Sequence, residues 1–185
     1  MRALVVYESM FGTTRELSEA IAAGLKRSLD VRLCRADEVQ TEDASAAELL
    51  VAGGPAHSQS SATPASRQEA AVWGEDPATG LRVDLTEMTT GPREWFDELE
   101  SVPGLFAAFD ARTDIPKLLT GAASVRIGRE LRLRGSTPVV PPESFLLTRS
   151  GGLKSGEAER ARWWGEQVAE AARRARPRTT TETST

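Results

Sequence analysis

Among 185 residues there is one cysteine, Cys34, and one histidine, His57. A single thiol cannot close an internal disulfide, and one histidine with one cysteine cannot build a Cys/His finger. Aromatic residues make up 5% of the chain and lysine is scarce, at 3 against 20 arginines. The arginines come without a heptad array or an aromatic RNA-binding motif, so no nucleic-acid partner is expected. No apolar run approaches the roughly 20 residues of a membrane span. The opening MRALVVYES carries only a short apolar run before Glu8, which is too short for the core of a signal peptide. The expectation is a soluble, unprocessed protein in a reducing cytoplasm.

What is present suits one ordinary domain. A chain of this length buries most of the surface that its unfolded form exposes, so it needs no disulfide or metal staple. The formal net charge of −4 is unevenly spread: residues 1–122 hold 11 basic and 20 acidic side chains, and residues 123–185 hold 12 and 7. Two readings fit that asymmetry, a dipole that steers a charged partner or simply two solvated faces.

RALVVY at 2–7 is a β-branched apolar run of the type covered on both faces in a parallel sheet. Leu17, Ile21 and Leu25 then recur at helical spacing. Thr13 followed by Glu16 has the form of a capping box that would start this helix. DVRLCRA alternates as an edge strand does, whereas ELLVAGG is continuous and reads as central. The polar stretch 56–66 reads as a rim loop. Residues 73–103, rich in Gly, Pro and charge, read as an insertion with a short helix, PREWFDELE.

GLFAAFDAR supplies a fourth buried strand. GAASVRIGRELRLRG reads as a helix with Ile127 and Leu131 on one side and Gly135 as its stop, although its alternation also fits two strands. PVVPPESFLLT reads as a fifth strand broken at Pro141 and Pro142, which lack the N–H groups for a ladder. Ala161, Trp164, Val168, Ala172 and Ala175 mark one face of a long last helix. The tail 177–185 has a disordered composition. Strands alternating with helices predict a three-layer α/β sandwich: a five-stranded parallel sheet of order 2-1-3-4-5 with helices on both faces, over one domain at 1–176.

In such a sheet a ligand sits beyond the C-terminal strand ends, where the strand order reverses. Three segments occupy those ends: Ser9 to Thr14, Pro55 to His57, and Asp110 to Arg112. The first, ESMFGTT, sets hydroxyls and Gly12 at a helix N-terminus whose early N–H groups can hold an anion. It contains no Lys or Arg, so a phosphate there would be held by neutral donors and the helix dipole. Neither a Walker loop nor G-x-G-x-x-G is present. The alternative for this loop is a capped turn without ligand.

VVYESMFGTTRELSEAIAAGL resembles the flavodoxin signature, a strand ending in a Thr/Ser-x-Thr-Gly-x-Thr phosphate loop that opens a helix, and its SMFG also resembles flavodoxin-like quinone reductases. VAGGPAHS resembles the second flavin loop, AFDAR the third, and GLKSGEAERARWWGEQVA the last helix of the family. The resemblance implies FMN as cofactor. It assigns Ser9, Phe11, Gly12 and Thr14 to the phosphate motif, with Met10 and Thr13 offering backbone N–H groups. It assigns Gly54, Pro55, Ala56 and His57 to one edge of the isoalloxazine, and Phe109, Asp110, Ala111 and Arg112 to the other. Phe11 stands where the family has a hydroxyl, and neither flavin loop carries a stacking Tyr or Trp. Trp73 or Trp95 could supply that ring or serve as core anchors. His57 reads as a proton donor to a bound quinone or as a solvated loop residue. Asp110 reads as a bond to flavin ring atoms or as a turn or cap residue. Arg112 near the flavin's pyrimidine edge would favour the reduced, anionic ring.

The resemblance thus implies an FMN-dependent electron carrier with a protein redox partner. The alternatives are an NAD(P)H, quinone or protoporphyrinogen-type oxidoreductase of the same fold, and a module that kept the fold and lost the flavin. A receiver domain is excluded because strand 3 ends in Gly-Gly-Pro, without a phospho-accepting Asp. A small phosphatase is excluded because the first loop has no Cys nucleophile.

Overall fold

The structure is a computed structural model that describes residues 1–8, 12–55, 101–113 and 122–176. Among these residues six strands, β1 (Arg2–Tyr7), β2 (Asp30–Arg35), β3 (Leu49–Pro55), β4 (Leu105–Thr113), β5 (Thr137–Pro138) and β6 (Glu143–Leu147), form one sheet with every pair parallel. Its order is β2-β1-β3-β4-β5, with β6 also paired to β4. β5 and β6 share one position: Phe106 faces Pro138 and Phe109 faces Glu143, so four residues on one side span two on the other. That bulge holds Pro141 and Pro142, as the missing N–H groups require. The sheet therefore has the expected 2-1-3-4-5 order, with the fifth strand in two pieces.

Among the described residues, two helices cover each face. α1 (Thr13–Leu25) and α4 (Glu157–Ala175) pack over Val5, Val51, Phe109 and Phe145; α2 (Thr41–Ala46) and α3 (Ala123–Leu133) pack over Leu4, Val6, Leu50, Phe106 and Ala108. The apolar stripe of α1 is buried as its spacing predicts, at Leu17, Ile21 and Leu25. α3 is a helix rather than two strands, because Ile127 and Leu131 bury one turn apart. It ends where expected: Gly135 takes φ 88°, its N–H bonds to Arg132 O at 3.0 Å and that of Ser136 to Leu131 O at 3.0 Å. The face of α4 differs in one residue. Ala161, Trp164, Val168 and Ala172 are buried, but Ala175, in the last turn, is exposed.

The expected insertion at 73–103 and its helix lie outside the described residues except for 101–103, and the tail 177–185 lies outside them too. No helix among the described residues is long and apolar enough to cross a membrane.

Candidate functional site

Parallel strands bring their C-terminal ends to one rim. Tyr7 pairs with Gly53, Gly54 with Asp110 and Pro55 with Ala111, and the Glu8 N–H bonds to Gly53 O at 3.1 Å. β2 lies on one side of β1 and β3 on the other, so the connections diverge there and leave a crevice. α1 begins at this point. Ser9, Met10, Phe11, Ala56 and His57 lie outside the described residues; the remaining candidates can be placed.

Gly12 is the N-cap of α1, with a left-handed φ of 77°, and among the described residues, its chain neighbours aside, no atom lies within 4 Å of where a Cβ would stand. The capping box expected at Thr13 and Glu16 does not form. That motif needs Thr at the N-cap and Glu three residues on, whereas here Thr13 is already the first helical residue. The Glu16 N–H instead bonds to Gly12 O at 3.1 Å as the first turn of the helix. The N–H groups of Thr13 and Thr14 precede that bond and point out of the helix end. Thr14 is buried, and its carbonyl accepts the Ser18 hydroxyl at 2.7 Å.

The Thr13 hydroxyl turns sideways and donates to Gly151 O at 2.7 Å. Gly151 belongs to a tight turn after β6: Thr148 N–H bonds to Gly152 O at 2.8 Å, Gly151 N–H to Thr148 O at 3.1 Å, and Leu147 pairs with Leu153. Beyond it, Glu157 at the start of α4 accepts the Leu146 N–H at 2.7 Å and an Arg160 N–H at 2.7 Å. Arg160 also donates to Glu143 at 2.6 Å and lies 4.3 Å over the Phe145 ring. Sequence reasoning missed this bracing turn. Ser150-Gly151-Gly152 is a turn signal, but nothing local links it to a residue 138 positions away.

The third segment is placed differently from expectation. Phe109 is fully buried, its ring lies where a Cβ on Gly53 would overlap it, and it meets Trp164 edge-on at 6.2 Å. The ring packs in the core, because β4 runs on to Thr113 and leaves Phe109 in mid-strand. Asp110 is a helix cap: its Oδ2 accepts the Ser124 N–H at 2.8 Å and hydroxyl at 2.6 Å, at the second residue of α3. Its other oxygen is buried with no hydrogen-bond partner among the described residues. Ala111 is buried as well. Arg112 alone of this segment presents a charged group at the rim, half-buried and donating to Thr113 O at 3.3 Å. In the second segment Gly54 is buried and Pro55 half-buried. Among the described residues no group of His, Cys, Asp and Glu could hold a metal ion.

No family model and no curated protein matches the sequence. Solved structures do match. A flavodoxin from the domain Archaea superimposes with a TM-score of 0.62 at 18% identity, covering 94% of this chain and 99% of that one. Oxidised Flavodoxin 2 from Bacillus cereus gives 0.63 at 18% identity, over 92% and 99% of the two chains. The chain has the flavodoxin-like fold. A flavodoxin, WrbA-like protein from Agrobacterium tumefaciens shares it, with a TM-score of 0.58 at 18% identity over 95% and 99%. The likeness spans nearly the full length of each flavodoxin-like chain, and at these identities it concerns the fold.

Proposed function

We propose that this protein binds FMN at the C-terminal rim of its sheet and works as a cytoplasmic electron carrier. The observation that carries the reading is the start of α1: a left-handed Gly12, uncrowded by any other described element, at the crevice between β1 and β3. A helix N-terminus with unused N–H groups favours a phosphate, and segment 9–14 has no basic side chain, so neutral donors and the helix dipole hold the phosphomonoester. Glycine at position 12 lets the phosphate approach the backbone. Ser9 and the N–H groups of Met10, Phe11, Thr13 and Thr14 complete the cradle in this reading, while Gly54 to His57 and Arg112 border the ring.

FMN, when bound, supplies reversible acceptance and donation of electrons. The chain's own part is to fix the phosphate, shield the ring from water and set the charge around it. Residues 1–176 act as one domain in this account, and the C-terminal rim of the sheet is where a redox partner docks.

Arg112 favours a second reading. A cation at the end of β4 would stabilise negative charge on a reduced ring, as suits an oxidoreductase that passes electron pairs from NAD(P)H to a quinone. FMN titration followed by flavin fluorescence tests the shared claim: saturable quenching is expected, and none would leave a flavin-free module. NAD(P)H oxidation with added quinone and no reductase then separates the two, since the carrier reading predicts no steady turnover.

A further inference from the structure

The Thr13 hydroxyl, at the start of α1, reaches across to a distant part of the chain and is spent on Gly151 O at 2.7 Å. Gly151 is itself held at φ 86° inside the turn from Thr148 to Gly152. That turn is braced behind by Glu157, which ties β6 to α4 through the Leu146 N–H at 2.7 Å. The first turn of a helix otherwise frays, because its leading N–H groups have no partner within the helix.

We propose that Thr13 is a positioning residue: its bond to Gly151 is the strut that fixes the first turn of α1 for a phosphate, and so sets the preference for FMN over riboflavin. This rests on the FMN reading above. The hydroxyl does not touch the phosphate; the backbone N–H groups of the turn do. With the strut in place they point one way before the ligand arrives. Without it the competent conformer is a fraction of the population, and the apparent affinity falls by that fraction. Riboflavin carries the same ring and ribityl chain but no phosphate, so its binding does not draw on this turn.

The test measures dissociation constants for FMN and riboflavin, by quenching of flavin fluorescence, on the full chain. Its variants are Thr13→Val, Thr13→Ser, Gly151→Ala and the double variant Thr13→Val with Gly151→Ala. Thr13→Val should weaken FMN about tenfold, as loss of one well-placed hydrogen bond does, and leave riboflavin unchanged. Thr13→Ser, which keeps the hydroxyl, should bind FMN as the parent does. Gly151→Ala strains the positive-φ turn and should also weaken FMN. The double variant should be no weaker than the weaker single one, because both break the same strut. Riboflavin binding doubles as the folding control.

The strut is overturned if Thr13→Val leaves FMN unchanged, if it weakens both flavins alike, or if the two losses add. A parent protein that prefers FMN alongside an unaffected Thr13→Val removes the strut alone. A parent that binds neither flavin removes the FMN reading and the strut together.

Discussion

A Cβ on Gly165 of α4 would overlap the carbonyl oxygen of Ile21 in α1, and a Cβ on Gly24 of α1 would overlap the carbonyl oxygen of Arg162 in α4. The two helices touch backbone to backbone, and α1 carries the candidate phosphate site at its other end. Gly165→Ala must push them apart. It should destabilise by about 1–3 kcal/mol, the range for overpacking a close contact, and Gly24→Ala should do the same. Urea unfolding reads the change, and an unmoved midpoint would contradict the close approach.

Asp110 should matter for stability through α3. Asp110→Ala leaves the buried N–H and hydroxyl of Ser124 without their acceptor, at a cost of about 1–3 kcal/mol. Asp110→Asn keeps an acceptor and should cost less. Equal effects from the two variants, measured by urea unfolding, would show that the carboxylate is not a cap.

Much of this architecture is legible in the sequence because it rests on local pattern. The continuous runs of β1 and β3 and the alternation of β2 follow from burial, the paired prolines in the fifth strand from missing N–H groups, and the stop at Gly135 from glycine's ease at positive φ. The site is legible to a smaller degree. T-x-x-E at Thr13 fits a capping box, but a left-handed Gly12 takes the cap position one residue earlier, and the freed hydroxyl finds a partner that no local rule names. Phe109 reads as rim because Asp and Arg follow it. The register of β4 against β3 and β6, which depends on residues far apart in the chain, puts its ring in the core beside Trp164.

Glu157 should make the junction of β6 and α4 acid-sensitive. Burial works to raise its pKa, but the Arg160 hydrogen bond, the Leu146 N–H and the charges of Arg160 and Lys154 outweigh that and hold it below the usual carboxylate range. A lowered folded pKa stabilises the fold above the unfolded value of about 4.3. That contribution disappears as pH falls through the folded value. Glu157→Gln should therefore be less stable at pH 7, by about 1 kcal/mol, and should lose less stability than the parent below about pH 4.3. Urea midpoints across pH check this; parallel curves for the two proteins would contradict it.

Arg112 should tune the flavin. Replacing its positive charge by Arg112→Ala should lower the midpoint potentials of bound FMN by on the order of tens of millivolts, and Arg112→Lys should lower them less. Spectroelectrochemical titration measures both. Unchanged potentials in Arg112→Ala would remove its role at the ring and with it the ground for the second, electron-pair reading.

The most direct measurement is the visible absorption spectrum of the purified protein before and after adding FMN, beside the variant Gly12→Asp. Asp tolerates the left-handed conformation at this position, so the variant should fold, while its carboxylate occupies and repels the phosphate site. The account predicts bands of bound flavin in the parent that are lost in Gly12→Asp. Bands of equal strength in both would place the flavin elsewhere, and no bound flavin in either would leave the fold standing without the redox function.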